Sequence, residues 1–148
     1  MAEPTRHWLF KSEPSTWPWE KQKAAGPAGQ EWDGVRNYQA RNFMREMKIG
    51  ERGFFYHSNE GKAVVGIVEV AALAHPDSTA KDGAWECVDL RAVMDLPRPV
   101  TLETIKADEA LKDMVLVTNS RLSVQPVGAA EFDHICRLGG LDPKDALA

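Results

Sequence analysis

The feature that most constrains this chain is the change in its apolar periodicity after Gly50. From Tyr38 to Lys48 the residues Ala40, Phe43, Met44 and Met47 recur at i, i+3, i+4 and i+7, the stripe of a helix with one buried face. Asn37 stands before that stretch as an N-cap and Gly50 after it as a stop. Beyond Gly50 the spacing becomes that of strands. Gly53 to His57 and Ala63 to Leu73 flank the turn Ser58 to Lys62, which predicts a hairpin. From Trp85 to Leu96 the apolar residues Val88, Leu90, Ala92 and Met94 alternate with more polar neighbours, and Pro97 and Pro99 are expected to end the strand. The flanks supply further elements. His7 to Lys11 reads as a first strand closed by the turn Ser12 to Pro14, and Ser15 as the cap of a helix running to about Ala25, with Gly26 and Pro27 as its stop. Thr101 to Lys106 and Asp108 to Lys112 read as helical, Thr118 to Val124 as extended or loop, and Ala129 to Leu138 as a last helix with Phe132, Ile135 and Cys136 on one face. Strands in the middle with helices at the ends and in one early crossover predict an α+β fold. Its sheet is expected to be mostly antiparallel and curled into a small barrel with flanking helices, although periodicity alone does not choose a barrel over an open sheet.

Length and composition bound the rest. A chain of 148 residues that is 43% hydrophobic can bury a core and has the size of one domain, with its core over about 7–140 and loose tails at Met1 to Thr5 and Asp142 to Ala148. No apolar run approaches the ~20 residues needed to span a bilayer, and Met1 to His7 has no apolar signal core, so a cytoplasmic protein without membrane partners is expected. The two cysteines, Cys87 and Cys136, are far apart and lack a CxxC partner, and His7, His57, His75 and His134 show no ligand spacing. Buried thiols, no metal and no cofactor are therefore expected. The net charge of -4 argues against strong non-specific gripping of long DNA, although Arg36, Arg41, Arg45, Lys48 and Arg52 cluster in sequence.

Two blocks carry an unusual mix of side chains. Trp32 to Asn37 with Gln39 to Asn42 combines an indole, two arginines and several amides beside a helix start. Aromatic faces stack on bases, amides read base edges, and arginines bind phosphate. Residue by residue the block also reads as a structural tryptophan followed by a helix cap. Phe54 to Ser58 places Phe54 and Tyr56 on one side of a strand and Phe55 and His57 on the other, with Tyr56, His57 and Ser58 bringing polar groups to its end. His57 and Ser58 are strand neighbours that point apart, and neither a GxSxG turn, a phosphate-binding loop nor a zinc signature is present. Of the five tryptophans, Trp8 reads as core, Trp17 and Trp19 as cover for the sheet, and Trp85 either way, which singles out Trp32.

Taken together, the segments Trp8 to Pro14, Trp32 to Asn42, Phe55 to Ser58, Val65 to Val70, His75 to Asp77 and Ser120 to Pro126 resemble the EVE domain in order and spacing, over about Trp8 to Gly140. The resemblance implies a PUA-like fold, a small distorted β-barrel similar to that of YTH domains, which hold a methylated adenine in an aromatic cage. It implies a non-catalytic module that binds a modified nucleobase, cytosine foremost, in DNA or RNA. Trp32 would then stack on a flipped base. Lys11, Ser12 and Glu13 would form the strand-end turn beside it, with Ser12 hydrogen-bonding the base edge. Asn37 and Arg41 would support the pocket or contact the flanking phosphate, Tyr56, His57 and Ser58 would form another wall, and Arg121, Leu122 and Ser123 the opposite rim. Trp85 is a loose candidate for a second cage aromatic. The implied partner is nucleic acid carrying a modified base, bound by a monomer. A sensor of a nucleotide-like metabolite, a protein-interaction domain and, further off, a hydrolase are the competing readings, since one fold hosts many functions.

Overall fold

Strand-forming residues between positions 52 and 101 build the centre of the molecule. The computed structural model describes residues 6–81 and 83–146. The strands are β1 (His7–Ser12), β2 (Gln30–Glu31), β3 (Arg52–His57), β4 (Ala63–Pro76), β5 (Glu86–Thr101) and β6 (Val124–Val127). The helices are α1 (Trp19–Ala24), α2 (Tyr38–Glu46), α3 (Leu102–Ala107), α4 (Val115–Thr118), α5 (Ala129–Leu138) and α6 (Pro143–Ala146), with a 3-10 turn at Glu109–Leu111. This is the expected α+β mixture. The strands form one six-stranded sheet in the order β2-β5-β4-β3-β1-β6.

The sheet departs from expectation in its closure. It is open rather than closed into a barrel: β2 and β6 are its edges. It is mostly but not purely antiparallel, because β1 runs parallel to β3, with His7 opposite Arg52 and Ser12 opposite His57. The other four pairings are antiparallel. A parallel neighbour needs a long crossover, here α1, β2 and α2. Nor does β5 stop at Pro97. The register between β4 and β5 jumps from Val64↔Val100 to Gly66↔Asp95, so Leu96 to Pro99 fall in a bulge where no ladder hydrogen bond is required of a proline.

Strand alternation sorts the core into two clusters. Trp8, Phe10 and Phe55 join Trp32, Ala40, Met44 and Met47 in one, so α2 packs here with the stripe read from its sequence. Leu9, Phe54 and Tyr56 join Ile67, Phe132, Ile135 and Cys136 in the other, under α5. Asn37 caps α2 by accepting from the Ala40 N–H at 2.9 Å. The first helix starts later than expected, at Trp19 after Pro18, and Ser15 lies in a turn. Part of the expected C-terminal tail is ordered: α6 buries Pro143 and Ala146, and the Ala146 carbonyl accepts from Arg52 Nη1 at 2.8 Å. The expected N-terminal tail, Met1 to Thr5, lies outside the described residues, as do 147–148. Among the described residues no helix is long and apolar enough to cross a membrane.

Gly66 shows how tightly the first cluster is joined to the sheet. A Cβ placed there would lie 2.1 Å from Cζ2 of Trp19, whose Nε1–H donates to Asp95 at 2.6 Å. Because that indole is pinned at its other edge, Gly66→Ala is expected to cost about 1–3 kcal/mol of stability, measured by urea denaturation, with a lowered midpoint and an unchanged slope.

Candidate functional site

The end of β1, the turn after it, β2 and the loop between β2 and α2 enclose a cavity of about 370 Å³. That is near the lower end of ligand pockets, roughly 300–1,000 Å³. One wall is Lys11, Ser12 and Glu13, continued by Thr16 and Trp17; the other is Gln30 to Arg36; Ser123 closes the side towards β6. Trp32 joins wall to core. Its N–H donates to the Val88 carbonyl at 2.8 Å, and its ring meets Phe10 and Phe55 edge-on, each with centroids 5.6 Å apart. Edge-on packing on two sides fixes the indole and leaves 7% of the residue exposed. Trp17 is held by a relay in which its Nε1–H donates to Gln22 Oε1 and Gln22 Nε2 donates to the Leu90 carbonyl, both at 2.9 Å.

The loop opposite β1 takes its shape from Asp77. This carboxylate accepts from the Gly34 N–H at 2.8 Å, from Arg36 Nη1 at 3.1 Å, and from the Thr79 N–H and hydroxyl at 2.7 and 2.6 Å. Gly34 has φ +79°, a left-handed conformation that suits glycine. Burial opposes ionisation of Asp77, but the hydrogen bonds from Thr79, Gly34 and Arg36 outweigh it and hold the pKa at about 2. Glu31 is tied to the same turn by the Ser78 hydroxyl at 2.6 Å and the Ser78 N–H at 3.1 Å, which lower its pKa. Asp33 differs. Partial desolvation, with the charges of Asp77 and Glu31, raises its pKa against the pull of Arg36, and no hydrogen-bond donor among the described residues reaches its carboxylate. Across the cavity, Lys11 Nζ donates to the Ser120 carbonyl at 2.6 Å and burial lowers its pKa. The Ser12 hydroxyl donates to the Trp17 carbonyl at 2.6 Å.

Lys11, Ser12, Glu13, Trp32 and Ser123 are thus brought together around one cavity. The other residues singled out from the sequence stand elsewhere. Tyr56 is turned by strand alternation to the opposite face, buried with Phe54. Leu122 is core, 3% exposed. His57 faces Trp19: its Nε2 accepts from the Trp19 N–H at 3.1 Å, and burial lowers its pKa. Ser58 touches the site only through its N–H, which donates to the Ser12 carbonyl at 2.9 Å. Asn37 is spent on capping α2, Arg41 donates to the Ala84 carbonyl at 2.7 Å, and exposed Arg121 does not line the cavity. Trp85 stacks on Tyr38 and is not in the lining. Thr16, Trp17, Gln30, Glu31 and the stretch from Asp33 to Arg36 also line the cavity and were given no role in it from the sequence. Asp33 sat inside the block around Trp32. The signal for Trp17 was Pro18, which delays the helix and leaves Trp17 in the preceding turn.

Ligand-type atoms of Glu31, His75 and Cys87 also approach within 4.8 Å of one another. They are already engaged. His75 turns Nε2 to Asp89 at 2.7 Å and Nδ1 to the Pro76 carbonyl at 3.0 Å, and the Asp89 contact raises its pKa. Both imidazole nitrogens thus already have an oxygen partner. Burial, with Asp77 and Glu31 nearby, pushes the Cys87 thiol up as well.

The open mixed sheet, with helices around it and a cavity beside the end of β1, defines a class: small α+β domains with a cleft at one end of the sheet. The chain belongs to the EVE domain family, whose model matches residues 6–138. It is similar to a protein of Agrobacterium tumefaciens of known crystal structure, at 64% identity and TM-score 0.91 over 92% of this chain and 94% of that one. It is 37% identical to human thymocyte nuclear protein 1 over 93% of this chain and 75% of the relative. A crystal structure of the human THYN1 protein, in complex with DNA containing 5-methylcytosine, superposes with TM-score 0.83 at 36% identity, covering 93% of this chain and 99% of that one. The fold is shared with the YTH domain of Zygosaccharomyces rouxii MRB1, at TM-score 0.59 and 19% identity over 93% and 88% of the two chains.

Removing the anchor of the loop tests this account of the site. Asp77→Ala is expected to cost about 1–3 kcal/mol at neutral pH, since it removes the common acceptor of four part-buried hydrogen bonds, one of them from an arginine. Asp77 titrates near 2 in the fold, below the ordinary 3.8, so its contribution is complete above about pH 4 and fades as pH falls towards 2. Melting curves of the two proteins should therefore converge on acidification.

Proposed function

We propose that this chain is a non-catalytic module that recognises a modified nucleobase, with 5-methylcytosine as the leading ligand, in DNA or RNA. The observation that carries the reading is the cavity beside Trp32 in a fold whose human relative was crystallised with DNA containing 5-methylcytosine. A base enters between the walls carrying Trp17 and Trp32, and Lys11, Ser12, Glu13 and Ser123 surround it. The unpartnered carboxylate of Asp33 accepts from the exocyclic amine of cytosine. Thymine presents an oxygen at that position, and an acceptor facing an acceptor is repelled. Extruding a base costs a few kcal/mol, stacking returns roughly 1–3 kcal/mol, and a buried methyl adds about 0.8 kcal/mol. Discrimination therefore falls to polar groups that a wrong base leaves unpaired.

Two groups of the kind that could serve as nucleophile or base, Cys136 and His57, are poorly placed for it, which favours binding over catalysis. Burial holds the Cys136 thiol up at about 12, and the His57 lone pair accepts from Trp19.

Fluorescence anisotropy with short oligonucleotides carrying one 5-methylcytosine, N6-methyladenine or unmodified base tests the reading. The 5-methylcytosine strand should bind best, and Trp32→Ala should weaken it at least tenfold. Absence of binding by every oligonucleotide at low salt would overturn the proposal and turn attention to nucleotide-like metabolites. Asp33→Asn replaces a pure acceptor by a group that can also donate, and is expected to narrow the preference for cytosine over thymine by about tenfold, 1–3 kcal/mol being the usual worth of a base-edge contact.

A further inference from the structure

Beside the cavity, the first residue of α2 presents an aromatic ring to solvent. Tyr38 is 60% exposed. Its ring is not loose: it stacks on Trp85, with centroids 4.8 Å apart and an interplanar angle of 22°. Arginines surround this pair. The Arg41 guanidinium lies 4.8 Å from the Tyr38 ring and 5.9 Å from the Trp85 ring, and that of Arg36 lies 5.6 Å from Trp85. These distances locate Arg41. On the outer face of Tyr38 it would stand about twice 4.8 Å from Trp85; at 5.9 Å it stands at the flank of the stack instead. The outer face of Tyr38 is therefore left open by the cation beside it.

The platform is continuous with the cavity. Arg36 lines the cavity and also reaches Trp85. Tyr38 follows Arg36 by two residues, at most about 7 Å of backbone. Arg41 is not exhausted by its contacts. It gives one N–H to the Ala84 carbonyl and two to Asn42 Oδ1, and a guanidinium has five. A braced aromatic face open to solvent, flanked by cations and adjacent to a base pocket, has the components of a nucleotide stacking site.

We propose that Tyr38 is a second nucleotide-binding position, at which an unpaired base next to the one in the cavity stacks on the outer face of the ring while Arg41 takes the phosphate between them. This rests on the reading of the cavity as a base pocket. It adds a substrate class: a base inside a duplex has both faces covered by its neighbours, so the platform selects single-stranded or locally melted nucleic acid.

The test uses the full chain with two probes, free 5-methyl-2′-deoxycytidine and a single-stranded DNA pentamer with 5-methylcytosine at its centre, each titrated against wild type, Tyr38→Ala, Tyr38→Phe and Trp32→Ala. Tyr38→Ala is expected to weaken the pentamer by about 5- to 150-fold, from the usual worth of one stacked base, and to leave the nucleoside unchanged. Tyr38→Phe, which keeps the ring, should bind both like wild type. Trp32→Ala should lose both. The same sequence as a duplex should bind wild type more weakly than the single strand. Pentamer affinity unchanged in Tyr38→Ala, while Trp32→Ala still abolishes it, overturns the second position and leaves the pocket standing. Equal loss of nucleoside and pentamer in Tyr38→Ala also overturns it, since the ring would then serve the pocket's structure. Failure of wild type to bind either probe removes the pocket and the platform together.

Discussion

One carboxylate decides where the walls of the cavity stand. Asp77 follows immediately after β4, and its two oxygens gather Gly34, Arg36 and Thr79. Without an acceptor at this point, the loop from Trp32 to Asn37 would be attached to the sheet mainly by the Trp32 N–H. With it, the loop is tied at both ends and in the middle, and Asn37 enters α2 in a conformation that caps the helix. A buried carboxylate is tolerated here because it accepts four hydrogen bonds. Glu31 repeats the pattern one layer out by holding Ser78.

The site is a mixed electrostatic environment rather than a basic one. Each wall carries both signs, Lys11 with Glu13 on one and Arg36 with Glu31 and Asp33 on the other. Together with the net charge of -4, this leaves little long-range attraction for duplex DNA in bulk. Whatever enters has to be held by fit and by short-range hydrogen bonds. The placement of Asp33 without a donor accords with that, because a carboxylate already satisfied within the protein has little left with which to read a ligand.

What was legible in the sequence was mostly local. The 3.6-residue stripe and the cap at Asn37 defined α2, and the span of α5 was readable to the residue at Ala129–Leu138. Alternation told correctly that Phe54 and Tyr56 share one face and Phe55 the other. The same alternation already implied that Tyr56 could not join a wall built around Phe55 and Trp32. Long-range features were out of reach. Nothing in β1 announces a parallel partner, and Pro97 and Pro99 looked like a strand end because the bulge that accommodates them depends on the register with β4. The cavity mixes both kinds of information: Trp32 stood out by composition, whereas Trp17 and Glu31 join it only through the packing of the turn after β1 and the edge strand β2.

The position of β1 has a consequence for how the protein comes into being. Its pairing partners are β3 and β6, so His7 must wait for Arg52 on one side and Val127 on the other. At typical rates of synthesis, 5–20 residues per second, the second partner arrives roughly ten seconds after the first strand is made. Through that interval Trp8, Leu9 and Phe10, all fully buried in the finished fold, lack the neighbours that will cover them. The link between the Lys11 N–H and the Ser123 carbonyl has to wait for the same late segment, and with it the side of the cavity that Ser123 closes. The nascent chain therefore lacks one side of the cavity until β6 has been made. An incomplete chain therefore presents an apolar strand without its cover, which is the hazard that partly folded chains carry.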